Sequence, residues 1–141
     1  MPAPRVIFVS QKQAERMRPP DTAVLVSITD HRTPEARMRV GWAAVLRVRF
    51  DDVDPVTFPG QNLDLTPMSL GQATEVAQFV SMLGSGCTRV VVHCKHGISR
   101  SAAVAKAVAA KMGAAFPKDY REYNKHVYAL VSQALGVAQE V

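Results

Sequence analysis

His93-Cys94-Lys95-His96-Gly97-Ile98-Ser99-Arg100-Ser101 is the stretch on which the fold turns. Thr88-Arg89-Val90-Val91-Val92 precedes it, a β-branched run suited to a buried strand. Ala102–Met112 follows, Ala-rich and strongly helix-forming. The order is therefore strand, tight loop, helix start. Cys94 and Arg100 bracket five residues that include Gly97. If the loop curls, the backbone N–H groups of Lys95 to Arg100 point inward and form a concave anion site at a helix N-terminus. Arg100 adds a planar fork that matches two oxygens of a phosphate. A thiol in such a field is favoured as its thiolate, and the chemistry implied is attack of sulfur on a bound phosphoryl group.

Working outward, the apolar runs Arg5–Ser10, Thr22–Thr29 and Ala44–Phe50 read as further strands. In the last of these Leu46, Val48 and Phe50 alternate with Arg47 and Arg49, which gives a wetter face and a place near the sheet edge. Gln11–Arg18 has a helical pattern that Pro19-Pro20 ends. Ser69–Leu83 carries Leu70, Ala73, Val76, Ala77, Val80 and Leu83 at helical spacing, with Ser69 as N-cap. Gly113 closes the Ala102–Met112 helix, and Pro117–Tyr123 reads as a turn or a short helix. Asn124–Leu135 is a last helix, with Asn124 as N-cap and Gly136 as stop. Between them Asp51–Met68 has no period and holds four aspartates, three prolines and Gly60, the composition of an exposed loop. Strands alternating with helices predict an α/β domain with a mostly parallel sheet and helices on both faces, the Cys94 loop lying at the carboxyl end of its strand.

The totals set the frame. A chain of 141 residues, 48% apolar and 21% charged, is expected to be a single domain, 1–141, with its own core. Cys87 and Cys94 are the only cysteines, roughly 23 Å apart if they share one strand, so no disulfide is expected between them. Unpaired thiols suit a reducing cytoplasm. Val6–Val9 is too short for a signal peptide or a membrane span, so no membrane insertion is expected. A net charge of +5 favours anionic ligands without choosing among them. Nucleic acid is permitted but not favoured, since no basic-aromatic stripe occurs. His31 and His126 read as surface or helix residues, and no cluster has metal-ligand spacing, so neither metal nor cofactor is expected.

The Cys94 stretch resembles the Cys-X5-Arg-Ser/Thr signature of the cysteine-dependent protein tyrosine phosphatase superfamily, most closely its dual-specificity phosphatase-like branch. His93, Cys94, Gly97, Ser99, Arg100 and Ser101 all agree with that pattern. The likeness runs from about Ala23 to Leu135 and is tight over His93–Ala105. It is similar to a compact bacterial or phage-type member, since Met112–Asn124 is too short for a helix that larger members carry. The resemblance implies the same α/β architecture and a phosphoric monoester hydrolase acting on phosphotyrosine or mixed phosphoprotein substrates. It also implies a role for each site residue. Cys94 is the nucleophile that forms a phosphocysteine, and Lys95, His96, Gly97, Ile98, Ser99 and Arg100 bind the phosphate. Ser101 hydrogen-bonds the sulfur and helps it leave, while His93 orders the loop. An aspartate from a neighbouring loop protonates the leaving oxygen. Asp51, Asp52, Asp54 and Asp64 are available, and Phe50-Asp51-Asp52 fits the family position, which selects Asp52 with Asp51 as the alternative. Lys95 after the cysteine resembles phosphoinositide phosphatases, and His-Cys-X-His-Gly resembles RNA 5′-triphosphatases. A catalytically weak phospho-binding module is a further reading, as is a rhodanese-type sulfurtransferase, against which the His-Cys start and the Arg-Ser ending speak.

Overall fold

Every strand of this protein is parallel to its neighbours, and the reason is visible in the connections. β1 (Arg5–Ser10), β2 (Ala23–Thr29), β3 (Ala44–Arg49) and β4 (Arg89–Cys94) are each separated by more chain than a hairpin needs. A computed structural model describes residues 2–60 and 64–139. The strands form one sheet in the order β1-β4-β2-β3. β3 is an edge strand, as its alternating arginines predict, and β4 lies between β1 and β2. Ser10 pairs in register with Cys94, and Ser27 with His93. The carboxyl ends of β1, β2 and β4 therefore meet, and Cys94 emerges among them.

The helices follow from capping and side-chain size. α1 (Gln11–Arg16) starts at Ser10, whose side chain and that of Gln13 form a reciprocal capping box. α2 (Leu70–Ser81) starts at Ser69 with the same device, using Gln72, and buries Ala73, Val76 and Val80. α3 (Arg100–Met112) begins two residues earlier than its Ala-rich run suggests. Arg100 and Ser101 consequently stand on its first turn. From Arg100 to Ala109 only Lys106 escapes full burial. Small alanines let this helix lie against β1 and β4 and also receive α4 (Lys125–Leu135). α4 is capped by the Asn124 side chain and stopped by Gly136 at φ +71°, as expected. No helix forms between α3 and α4; residues 118–119 make a turn.

Val24, Val26, Ile28, Val90 and Val92 join α2, α3 and α4 in the main core, with Phe50 and Met68 closing one end. Leu25 and Val91, of opposite side-chain parity, are fully buried outside that cluster. Cys87 and Cys94 are free thiols. Among the described residues no helix is long and apolar enough to cross a membrane.

Candidate functional site

Gly97 fixes the shape of the loop between β4 and α3. Its φ is +71°, and a Cβ there would stand 2.4 Å from the Ser10 amide nitrogen and 2.5 Å from the Val9 carbonyl carbon. Both obstacles are main chain of β1, so only glycine fits. With the loop pressed onto β1, the Gln11 N–H reaches the Lys95 carbonyl at 3.3 Å. Among the described residues, no backbone N–H from Lys95 to Arg100 donates a hydrogen bond. Successive amides without acceptors at a helix N-terminus can receive an anion.

Cys94 sits at the base of this loop, 3% exposed, with Sγ 3.1 Å from the Ser101 hydroxyl. Ser101 has no exposure, so its hydroxyl is held on the sulfur. Arg100 is anchored on one nitrogen. Its Nη1 donates to the Phe50 carbonyl at 2.7 Å and to Asp30 Oδ1 at 2.8 Å. Its Nε is buried with no hydrogen-bond partner. The guanidinium is thus pinned at one corner while its Nε is left without an acceptor.

His93 lies beneath, fully buried. Its Nδ1 is 3.4 Å from the Cys94 carbonyl and its Nε2 is 2.6 Å from the Ser27 hydroxyl. A carbonyl can only accept, so the ring proton belongs on Nδ1 and Nε2 accepts from Ser27. Burial holds this imidazole below the usual histidine range, against the pull of the Cys94 carbonyl. Lys95, His96 and Ile98 are exposed at the rim. The Ile98 carbonyl accepts the Tyr120 hydroxyl, and the Ser99 carbonyl accepts the Asn124 N–H at 3.1 Å.

The four aspartates of the long loop separate by environment. Asp52 is exposed, and its Oδ1 accepts from the Ser99 hydroxyl and from Asn124 Nδ2, each at 2.9 Å. It is thereby joined to the Cys94 loop. Asp51 instead accepts the His31 N–H at 3.1 Å and the Thr66 N–H at 2.8 Å. Desolvation opposes its charge, but those N–H groups outweigh it and leave the carboxyl below its usual range. Asp54 is buried and accepts the N–H groups of Thr57, Lys125 and His126. Burial again works against ionisation, and the amides again prevail. Asp51 and Asp54 therefore brace backbone. Asp64 is exposed, beside residues 61–63, which lie outside the described residues.

Sequence reading missed the partners that hold this site. Asp30 stands at the head of an Asp-His-Arg-Thr-Pro stretch that carries no local sign of a site role. Yet it follows β2, the neighbour of β4, at the sheet edge where Cys94 emerges, so parallel pairing is the signal that finds it. Asn124 was readable as an N-cap, and nothing local signals its second role. His126 accounts for itself structurally, with Nε2 3.0 Å from the Met68 carbonyl. Among the described residues no three His, Cys, Asp or Glu side chains gather as a metal-ligand set. Compared with family models and with curated proteins, the chain finds no match. The geometry therefore carries the functional reading.

Proposed function

We propose that this protein is a cysteine-dependent phosphoric monoester hydrolase of the protein tyrosine or dual-specificity phosphatase type. One observation carries the reading: a thiol 3.1 Å from a buried serine hydroxyl, under a loop whose amides have no acceptors and whose arginine keeps a buried Nε unpartnered. The helical cover on both sheet faces belongs to the same reading, and burial of Leu25 and Val91 outside the main core supports it.

In the first step the Cys94 thiolate attacks phosphorus, the S–P bond forms, and the bond to the leaving oxygen breaks. The Lys95–Arg100 amides and the Arg100 guanidinium stabilise the equatorial oxygens as charge develops. Asp52 supplies the leaving oxygen with its proton. In the second step water attacks the phosphocysteine, Asp52 takes a proton from that water, and the S–P bond breaks. Ser101 donates a hydrogen bond to the departing sulfur. Splitting the hydrolysis into two displacements is the purpose of the covalent intermediate.

The test is turnover of phosphotyrosine and phosphothreonine peptides, a phosphoinositide and an RNA 5′-triphosphate by wild type and Cys94→Ser, at pH 6. Wild type is expected to hydrolyse the phosphopeptides fastest and to yield a phosphocysteine on rapid acid quench. Cys94→Ser is expected to lose turnover while keeping its melting temperature. Undiminished hydrolysis by Cys94→Ser would overturn the mechanism. Preference for the lipid or the RNA would keep the chemistry and change the substrate.

A further inference from the structure

Asn124 makes more connections than a helix cap requires. Its Oδ1 accepts the Val127 N–H at 3.0 Å, which is the capping bond. Its Nδ2 donates both to Asp52 Oδ1 and to the Val53 carbonyl, each at 2.9 Å. Its own N–H reaches the Ser99 carbonyl at 3.1 Å. The residue is 1% exposed, so these bonds are made away from competing water. Ser99 adds its hydroxyl to the same Asp52 oxygen at 2.9 Å. Asp54 reinforces the arrangement by accepting the next two amides of α4, from Lys125 at 2.8 Å and His126 at 3.2 Å. The first turn of α4 thus grips the 52–54 segment and the Cys94 loop together.

We infer that Asn124 is the positioning residue for Asp52, and that Asp52 delivers its proton from Oδ2. The inference rests on the proposed phosphatase chemistry. Oδ1 receives two hydrogen bonds, from Ser99 and Asn124, and an oxygen that accepts twice is a poor place for the acidic proton. Oδ2 has no hydrogen-bond partner among the described residues and belongs to an exposed side chain. In the first displacement the proton passes from Oδ2 to the leaving oxygen as the P–O bond breaks. The carboxylate left behind is already met by two donors, so no reorganisation is needed at that moment. Without the Asn124 amide the carboxyl keeps only Ser99 and can turn away from the leaving group.

Asn124→Ser separates this role from capping, because serine keeps a side-chain oxygen for the Val127 N–H and loses the amide donor. For an unactivated ester such as phenyl phosphate, kcat is expected to fall ~10-fold or more, the scale of a misplaced catalytic group. An activated nitroaryl phosphate needs less protonation and is expected to lose under about threefold. In an Asp52→Asn background, Asn124→Ser is expected to add under about twofold, because the two residues act as one unit. Equal losses on both esters, or a full additive loss in the double variant, would make Asn124 merely structural and overturn the inference. Should Asn124→Ser fail to fold, Asn124→Asp retains a capping oxygen and sets a second carboxylate against Asp52. The same leaving-group comparison then decides. Cys94→Ser is run beside these variants. If it is dead while Asn124→Ser ignores the leaving group, positioning fails and the phosphatase reading stands. If it is active, the reading falls and this inference with it.

Discussion

The Cys94 loop and the 51–68 loop both supply residues to the candidate site, but they bring their functional groups together in different ways. Between His93 and Ser101 the groups themselves are neighbours in sequence: a strand end, a glycine at φ +71°, a helix start, and a thiol 3.1 Å from the hydroxyl seven residues on, with β1 and Asn124 bracing the main chain from outside. The 51–68 loop owes its placement to distant partners. Asp51 is fixed by the His31 amide, Asp52 by Ser99 and Asn124, and Asp54 by the first turn of α4. The proposed nucleophile is encoded in nine consecutive residues. Its proposed acid partner is encoded by the whole fold. Arg100 is the junction, since it belongs to the first region and donates to Phe50 at the threshold of the second.

Breaking the Cys94 loop has the largest expected effect. Gly97→Ala meets β1 main chain at 2.4 Å and demands a left-handed backbone from alanine. It should cost about 3 kcal/mol or more and remove activity with stability. Gly113 has nearly the same φ, +70°, with nothing within 4 Å of an added Cβ. Gly113→Ala should therefore cost only about 1 kcal/mol. Chemical denaturation of the pair measures the close approach apart from the dihedral. Equal losses would mean that the loop is not pressed onto β1.

Arg100→Lys tests the junction. The wild-type guanidinium answers Phe50 and Asp30 with Nη1 and keeps Nε besides. A single ammonium cannot serve both sides at once. Activity should fall roughly 10²-fold or more, as when one transition-state donor is removed. The folded state should survive, because the ammonium can still neutralise Asp30. A loss under about threefold would detach Arg100 from the chemistry proposed.

The same contrast explains what could be read in the chain. Cys94, Gly97, Arg100 and Ser101 were legible because their chemistry and spacing are local, and Ser69, Asn124 and Gly136 because capping is local too. The strand runs predicted the parallel sheet and the edge position of β3. Asp30 and the second role of Asn124 were not legible, because hydrogen bonds across 70 and 72 residues leave no mark on spacing. Composition marked Asp51, Asp52 and Asp54 alike, and only their partners tell the exposed one from the two that brace backbone.

The smallest expected effect is the response of stability to acid, where the two regions should act in different pH windows. His93 serves the Cys94 loop and is held below the usual histidine range, chiefly by burial. The unfolded chain then binds a proton that the folded chain refuses. Its contribution is complete above about pH 6.5 and is lost as pH falls toward the lower folded value, at no more than about 1.4 kcal/mol per pH unit. Asp54 serves the other loop and is also held below its usual range, because the amides of Lys125, Thr57 and His126 outweigh the burial that opposes its charge. Its contribution is complete well above about pH 3.9 and fades as pH falls through the folded value. Urea midpoints from pH 8 to pH 3 should therefore show a shallow decline beginning near pH 6.5 and a second near pH 4. His93→Asn should remove the first limb and keep the second. Asp54→Asn should cost about 1–3 kcal/mol at pH 7, because asparagine offers one acceptor oxygen where the carboxylate offers two, and should shrink only the lower limb, which Asp51 shares. If either variant flattens both limbs, the two regions do not hold their ionisable groups independently.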